Sequence, residues 1–403
     1  MLARILPAIF PFFVTSLMDA QITNDPVVEV PQGTAEAFLS TPQFALTSLF
    51  GEGAKKVRGG RNIVTAKDGS VLAFHRTKVR RSTDSGIMWS DPIEIGEEAG
   101  LGNAIVDEVT GTISLVNPKG HRWVSDDNGL GWTRELITVL PNRIGHGASK
   151  DGQLGAAAMQ PGVTILFGEN EGRLIMPVRW IASNTLPFRP YNYNTAIYSD
   201  DRGKTWQTSA PFPVFGTGEG ALAELSDGRI LYSSREHMNQ GNRFFAWSHD
   251  GGYRWLNFRR SEILPDGPRG TSYGCMGGLV RLPVKDRDIL LYSNLDTERG
   301  VLPSNDRAGA SQSQGRERIT VWASFDGGET WPVKRLVFGG PSSYSSLAVG
   351  RPGTASEGSC FLNFEGGKNG MFSEIQLAVF NLSWLLDGKQ TGHGKVPEWA
   401  RGQ

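Results

Sequence analysis

An all-β, six-bladed propeller closed by strands from both ends of the chain is the fold predicted by this 403-residue sequence. Two independent repeats and a turn-dense composition predict it. The first repeat is Ser-x-Asp-x-Gly-x-x-Trp. It occurs five times, from Ser82 to Trp89, Ser125 to Trp132, Ser199 to Trp206, Ser248 to Trp255 and Ser324 to Trp331. In each copy the Ser and Asp side chains can bond turn amides, the Gly accepts a left-handed backbone, and the Trp ring can cover the turn. Recurrence at irregular intervals marks a repeated four-stranded unit rather than a chance turn.

The second repeat is a Gly- or Asp-rich turn followed by a β-branched or aromatic run. It occurs six times: Asp68 to Phe74, Thr110 to Val116, Glu171 to Val178, Asp227 to Ser233, Asp286 to Tyr292 and Ser356 to Phe364. These runs are expected to be the second strands of six blades. The sixth blade has no signature because its third strand, Gln376 to Leu382, runs almost to the C-terminus; its outer strand is expected from the apolar run Phe44 to Phe50. The propeller then spans residues 44–385, between a lead-in at 21–43 and a tail at 386–403.

With 51 Gly, 22 Pro and 11 Trp the chain suits a turn-dense all-β protein, and a formal net charge of zero leaves no basic footprint for nucleic acid. The N-terminus reads as a signal peptide over residues 1–20, with Arg4 before an apolar run from Ile5 to Val14 that is too short to span a bilayer. The mature chain is therefore expected to be secreted or periplasmic and to lack a membrane span. Cys275 and Cys360 fall on different blades and are expected as two buried thiols, and no spacing suggests a metal site.

In a propeller the loops entering each first strand and leaving each second strand open on one face, with the signature turns on the other. The five signature aspartates, Asp84, Asp127, Asp201, Asp250 and Asp326, are thus expected to be structural. Segments such as Phe215 to Gly220, Arg235 to Arg243, Asn294 to Arg318, Gly339 to Ser345 and Glu365 to Phe372 border the mouth, which is the default binding site of such a ring.

Here the chain resembles the sialidase superfamily over nearly its whole length. Gly218-Glu219-Gly220 and the stretch to Ser234-Arg235 look like the family segment that carries the activating glutamate and the second arginine of a carboxylate-binding triad. Gly315-Arg316, followed by Trp331-Pro332-Val333 and Pro341-Ser342-Ser343-Tyr344, is similar to the third arginine and the nucleophilic tyrosine. The resemblance implies Tyr344 as nucleophile, Glu219 as its base, Arg235 and Arg316 as carboxylate ligands, and Glu365 as the group orienting the first arginine. That first arginine is missing from its usual step. Arg61 or Arg58 would replace it, and Arg61 is preferred because it stands next to the strand.

The implied chemistry is coherent. A sugar acid carries its own carboxylate to the anomeric centre and repels a carboxylate nucleophile, whereas a neutral phenol with a pKa of about 10 can serve if a base takes its proton; sialidases accordingly stand outside the two-carboxylate scheme of most glycosidases. Guanidinium groups stay charged and present paired donors to a carboxylate. The family's acid/base aspartate has no counterpart, because Phe74-His75-Arg76-Thr77-Lys78-Val79 leaves room only for a tight hairpin. His75 is the expected replacement, with Glu97, Glu98, Asp151, Glu236 and His237 as alternatives. The resemblance implies an exported hydrolase of the sialidase type that removes a terminal sialic acid or related acidic sugar with retention and needs no cofactor. A lyase or hydrolase for a uronic-acid-bearing polysaccharide and a non-catalytic glycan-binding propeller remain as alternatives, each with an acidic glycan as partner.

Overall fold

The computed structural model describes residues 30–51, 57, 62–142, 153–156, 159–182, 191–238, 241–266, 275–297 and 316–401. The chain is all-β in a propeller-like arrangement of sheets. In the first signature Ser82 Oγ donates to Asp84 Oδ1 (2.8 Å) and accepts from Gly86 N (2.9 Å), and Asp84 Oδ1 accepts from Met88 N (2.8 Å). Gly86 has φ +86°, a conformation costly for any residue with a Cβ. Trp89 Nε1 donates to Gly86 O (3.0 Å), so the ring is tied to the turn it covers. The Ser–Asp bond recurs at 2.8 Å in all five copies. In the fourth copy the Gly252 carbonyl accepts instead from Ser209 Oγ (2.5 Å), and Trp255 Nε1 has no acceptor among the described residues.

Each of the six turn-and-strand runs lies in a strand: Val71–His75, Ile113–Asn117, Leu174–Ile181, Ile230–Glu236, Leu290–Leu295 and Cys360–Gly366. The expected six separate sheets are not observed. Among the described residues there are five: three of four strands, one of six and one of eight. The cause is the 17-residue strand Val333–Val349. Its first part pairs with Glu317–Ser324 and its second with Cys360–Gly366, so two strand sets share one continuous backbone. The strand Phe44–Phe50 pairs antiparallel with Ile375–Phe380, bringing an N-terminal strand beside the C-terminal ones.

Packing links the sets in order. Six apolar clusters occupy the spaces between neighbours among the described residues. One joins Val64, Leu72 and Phe74 to Ala104, Ile113 and Leu115. Another brings Ile63, Val71 and Ala73 against Ala348, Phe361 and Leu377, first set against last. Each fully buried Leu, Ile or Phe contributes roughly 1.5–3 kcal/mol by leaving water, so these interfaces rather than any single sheet carry the stability. A cavity of about 320 Å³ is lined by Ile63, Val106, Thr164, Leu222, Leu279 and Leu347, one from the inner part of each set, with Val30, Pro31 and Gln32 at its border. The lead-in crosses this end of the molecule: Gly33 N donates to Pro283 O (2.7 Å), and Phe38 is buried among Leu282, Val284 and Leu385.

Cys275 and Cys360 are buried free thiols. Among the described residues no helix is long and apolar enough to cross a membrane, and no group of three His, Cys, Asp or Glu is placed to hold a metal ion. The signal-peptide segment lies outside the described residues.

The signature carboxyls of Asp84, Asp127, Asp201 and Asp250 are all held below the ordinary value. Burial pushes Asp127, Asp201 and Asp250 up, but their turn amides and serine hydroxyls outweigh it; for Asp84 the Met88 amide dominates from the start. Asp201→Ala should therefore lower stability by about 1 kcal/mol, comparable with loss of a helix cap, in urea titration at neutral pH. The stabilisation is present above the unfolded value of about 3.9 and is lost as pH falls through the lower folded pKa, so the difference between the two proteins should shrink below about pH 4.

Candidate active site

Glu219 lies in the inner strand Thr217–Glu224, whose other end, Glu224, pairs through Ile230 with Ser248 of the fourth signature. Site and signature thus occupy opposite ends of one sheet. The ladder to Ile230–Glu236 shifts register between Thr217 and Gly220. Such an irregularity breaks the alternation of side chains and re-aims the residue within it. The flanking glycines make this possible: a Cβ at Gly218 would lie 2.1 Å from His237 Cε1, and one at Gly220 2.4 Å from Tyr232 Cε1.

Tyr344 occupies a second irregularity. The ladder between Val333–Val349 and Cys360–Gly366 shifts between Ser342 and Ser345, and Tyr344 lies in that step. Both side chains are buried, and they meet: Tyr344 Oη donates to Glu219 Oε1 at 2.8 Å. Arg235, buried near the end of its strand, donates through Nη1 to Tyr344 Oη (3.2 Å) and also to Glu219 Oε2. The guanidinium carbons of Arg316 and Arg235 lie 5.7 Å and 6.0 Å from the centre of the Tyr344 ring. Arg316 Nη1 donates to Ser343 Oγ (3.3 Å).

Burial alone would raise the Glu219 carboxyl. The positive charges of Arg235, Arg179 and His237 together outweigh it and hold the group well below the usual carboxylate range. Glu365 is fully buried in the strand that faces the Tyr344 irregularity, where its neighbours Phe364 and Gly366 pair with Ser345 and Ser342. Cys275 stands among these groups. Burial pushes its thiol up, Arg316 and Arg235 pull it down, and Glu219 and Glu365 raise it further.

Of the residues expected from sequence, Tyr344, Glu219, Arg235 and Arg316 are thus brought together, with Glu365 close by. Arg61, Arg58 and Asp151 lie outside the described residues. His75 does not join the hydrogen-bonded group of Glu219, Tyr344 and Arg235; its ring packs on Phe50 at 5.0 Å, where the end of its strand meets the strand Phe44–Phe50. Among the alternatives, Glu236 is engaged by the amides of Met238 (2.6 Å) and Gly241 (2.9 Å). Glu98 faces Arg134 (3.7 Å) and His121 (3.5 Å), and the Glu97 carbonyl accepts from Trp123 Nε1 (3.1 Å). His237 is the alternative whose charge reaches Glu219.

Two groups escaped the sequence reading. Arg179, in Leu174–Ile181, places Nη1 3.9 Å from Glu219 Oε1. Its signal was available, because it stands near the end of the second strand of its set, as Arg235 does. Cys275 had no signal, since only the packing of separate sheets brings it under the arginines.

A family model described as BNR repeat-like domain matches residues 77–355. A sialidase of Micromonospora viridifaciens is 29% identical over 341 residues, 76% of this chain and 46% of the relative. A sialidase of Bacteroides fragilis is 26% identical over 307 residues, 67% of this chain and 51% of the relative. The chain thus spans about half the length of these relatives. Among solved structures, a Hadza microbial sialidase superposes with TM-score 0.60 at 22% identity, covering 82% of this chain and 67% of that one. The intramolecular trans-sialidase of Ruminococcus gnavus gives TM-score 0.60 at 15% identity, covering 84% and 98%. At these identities the structures show the fold.

Replacing Gly218 by Ala would drive a methyl group into the His237 ring and shift the backbone that carries Glu219. An overpacked site of this kind should cost about 1–3 kcal/mol in urea unfolding, whereas Gly353→Ala, with open space around it but φ +73°, tests backbone strain alone.

Proposed function

Because the chain belongs to the BNR repeat-like domain family, we propose that it is an exported sialidase-type glycoside hydrolase, acting on a glycan that ends in sialic acid or a related acidic sugar. The observation that carries this reading is the 2.8 Å bond from Tyr344 to Glu219 with Arg235 on both groups and Arg316 beside the same ring. That its relatives in Micromonospora viridifaciens and Bacteroides fragilis are sialidases supports the substrate class.

In the proposed reaction Arg235 and Arg316, with Arg61 or Arg58 as third member, hold the substrate carboxylate by charge-assisted paired bonds. Tyr344 Oη gives its proton to Glu219 Oε1, and the freed electron pair forms a bond to the anomeric carbon. The bond from that carbon to the leaving oxygen breaks, and the leaving oxygen takes a proton from a general acid. Glu365 orients the first arginine. Water then attacks the anomeric carbon and gives a proton to the deprotonated general acid, while the bond from that carbon to Tyr344 Oη breaks and Oη takes its proton back from Glu219; two inversions leave the anomeric configuration retained.

His75 is retained as the general acid of this proposal on its place in the first blade, with His237 favoured as its substitute because its charge acts at Glu219. Our reading of the scaffold is a closed ring of six blades, two of them sharing Val333–Val349. The pairing of Phe44–Phe50 with Ile375–Phe380 and the cluster between first and last strand sets support closure.

Tyr344→Phe keeps the packing and removes the reacting oxygen. On an aryl sialoside, whose leaving group needs little protonation, turnover should fall by orders of magnitude with the fold intact by circular dichroism, while the unfolding midpoint drops modestly because the bond to Glu219 is lost. Proton NMR of the first-formed sugar decides the class: the retained anomer supports this reading, an unsaturated product supports a lyase, and binding without turnover supports a glycan-binding module. Full activity of Tyr344→Phe would sink the tyrosine mechanism.

A further inference from the structure

Glu219 is faced from every element packed around it. Arg235 and His237 come from the neighbouring strand and the turn after it, Tyr344 from the last strand set, and Arg179 from the set before. Arg243 reaches the Glu219 backbone carbonyl with Nη2 (3.5 Å) but is bound through Nη1 to Asp266 Oδ1 at 2.5 Å, a carboxyl that burial pushes up to about 7, and the Cys275 thiol stands among Arg316, Arg235, Glu219 and Glu365.

Arg179 differs from the other guanidinium groups here. Arg235 is bound to Glu219, Arg243 to Asp266, and Arg316 to Ser343. The Arg179 side chain is only 15% exposed, and its ion contact among the described residues is the 3.9 Å approach to Glu219 Oε1, beyond hydrogen-bond reach. A largely buried guanidinium of this kind acts on the carboxylate through its field. It acts, moreover, on the same oxygen to which Tyr344 donates. Its effect is to lower the proton affinity of the atom that must receive the tyrosine proton.

We propose that Arg179 is a positioning residue that holds Glu219 ionised until a substrate carboxylate arrives and offsets the positive field of the surrounding guanidinium groups, at which point Glu219 becomes a competent base. The proposal rests on the Tyr344–Glu219 reading above. It makes the anionic substrate part of the switch: a neutral sugar would fit no clamp and would leave the base too weak to take the proton. The effect is electrostatic and depends on the position of the charge, so lysine in place of arginine should preserve it and an uncharged isostere should not.

The test is a carbon-13 NMR titration of protein labelled at the glutamate carboxyl carbons, with the Glu219 signal assigned by its loss in Glu219→Gln. In Arg179→Gln the midpoint should move up by about one pH unit or more relative to the wild-type protein, the shift expected when an opposite charge within 4–6 Å is removed. Arg179→Lys should titrate with the wild type, and both variants should give the wild-type circular-dichroism spectrum, while the melt of Arg179→Gln falls at neutral pH because a carboxyl with a raised folded pKa contributes less stability there. On an aryl sialoside, the acid limb of kcat for Arg179→Gln should move up with the NMR midpoint while KM changes less than twofold. A Glu219 signal that titrates identically in Arg179→Gln and wild type overturns the proposal. So does a tenfold rise in KM with an unchanged pH profile, which would make Arg179 a substrate contact. The NMR result stands without turnover, so an inactive wild-type protein would defeat the hydrolase reading while the titration still judges Arg179.

Discussion

The buried ion pair between Glu219 and Arg235 is the contact on which the site depends, because neither charge is tolerable there alone. A carboxylate taken out of water without compensation costs several kcal/mol, and breaking a buried pair typically costs about 3–5 kcal/mol. Glu219 is held ionised by the charges of Arg235, Arg179 and His237, with Arg235 against it, Arg179 3.9 Å away and Tyr344 donating at 2.8 Å. Those partners come from three different strand sets. Any displacement of one set against the others would strand a charge, so the group fixes the inner ends of the sheets relative to one another as much as it prepares chemistry.

The backbone reaches this arrangement through irregularity. A regular strand alternates its side chains between two faces, and a residue that must leave that alternation needs a break in the ladder. Glu219 and Tyr344 each sit in such a break, while the signature turns at the far end repeat the same Ser–Asp geometry. Repetition stabilises one end of the sheets and leaves the other free to vary. The division also separates stability from reactivity, since the aspartates that hold the turns have no part in the network around Tyr344.

The aspartate-bearing turns, the second strands and the contribution of Phe44–Phe50 were legible in the sequence because each is a local pattern: side-chain oxygens next to their own amides, a left-handed glycine, or an apolar run of strand length. Fusion of two sets through Val333–Val349 was not legible. Nothing local tells a strand to stop or continue across Gly339 to Ser345; that is settled by which partners lie alongside, Glu317–Ser324 on one part and Cys360–Gly366 on the other.

The site divides in the same way. Tyr344, Glu219, Arg235, Arg316 and Glu365 were named through the resemblance to the sialidase superfamily, and their places on entry and exit segments follow from the turn and strand repeats in the sequence. It took the packing of separate sheets to bring Tyr344 and Glu219 together across 125 positions of chain, to set the Arg179 charge near the same oxygen, and to pack His75 on Phe50. The difference is one of range. Turn chemistry and strand alternation act over a few residues and are written in them, whereas the field at a buried carboxylate is a sum over groups from separate sheets, and it exists only once packing has set their distances.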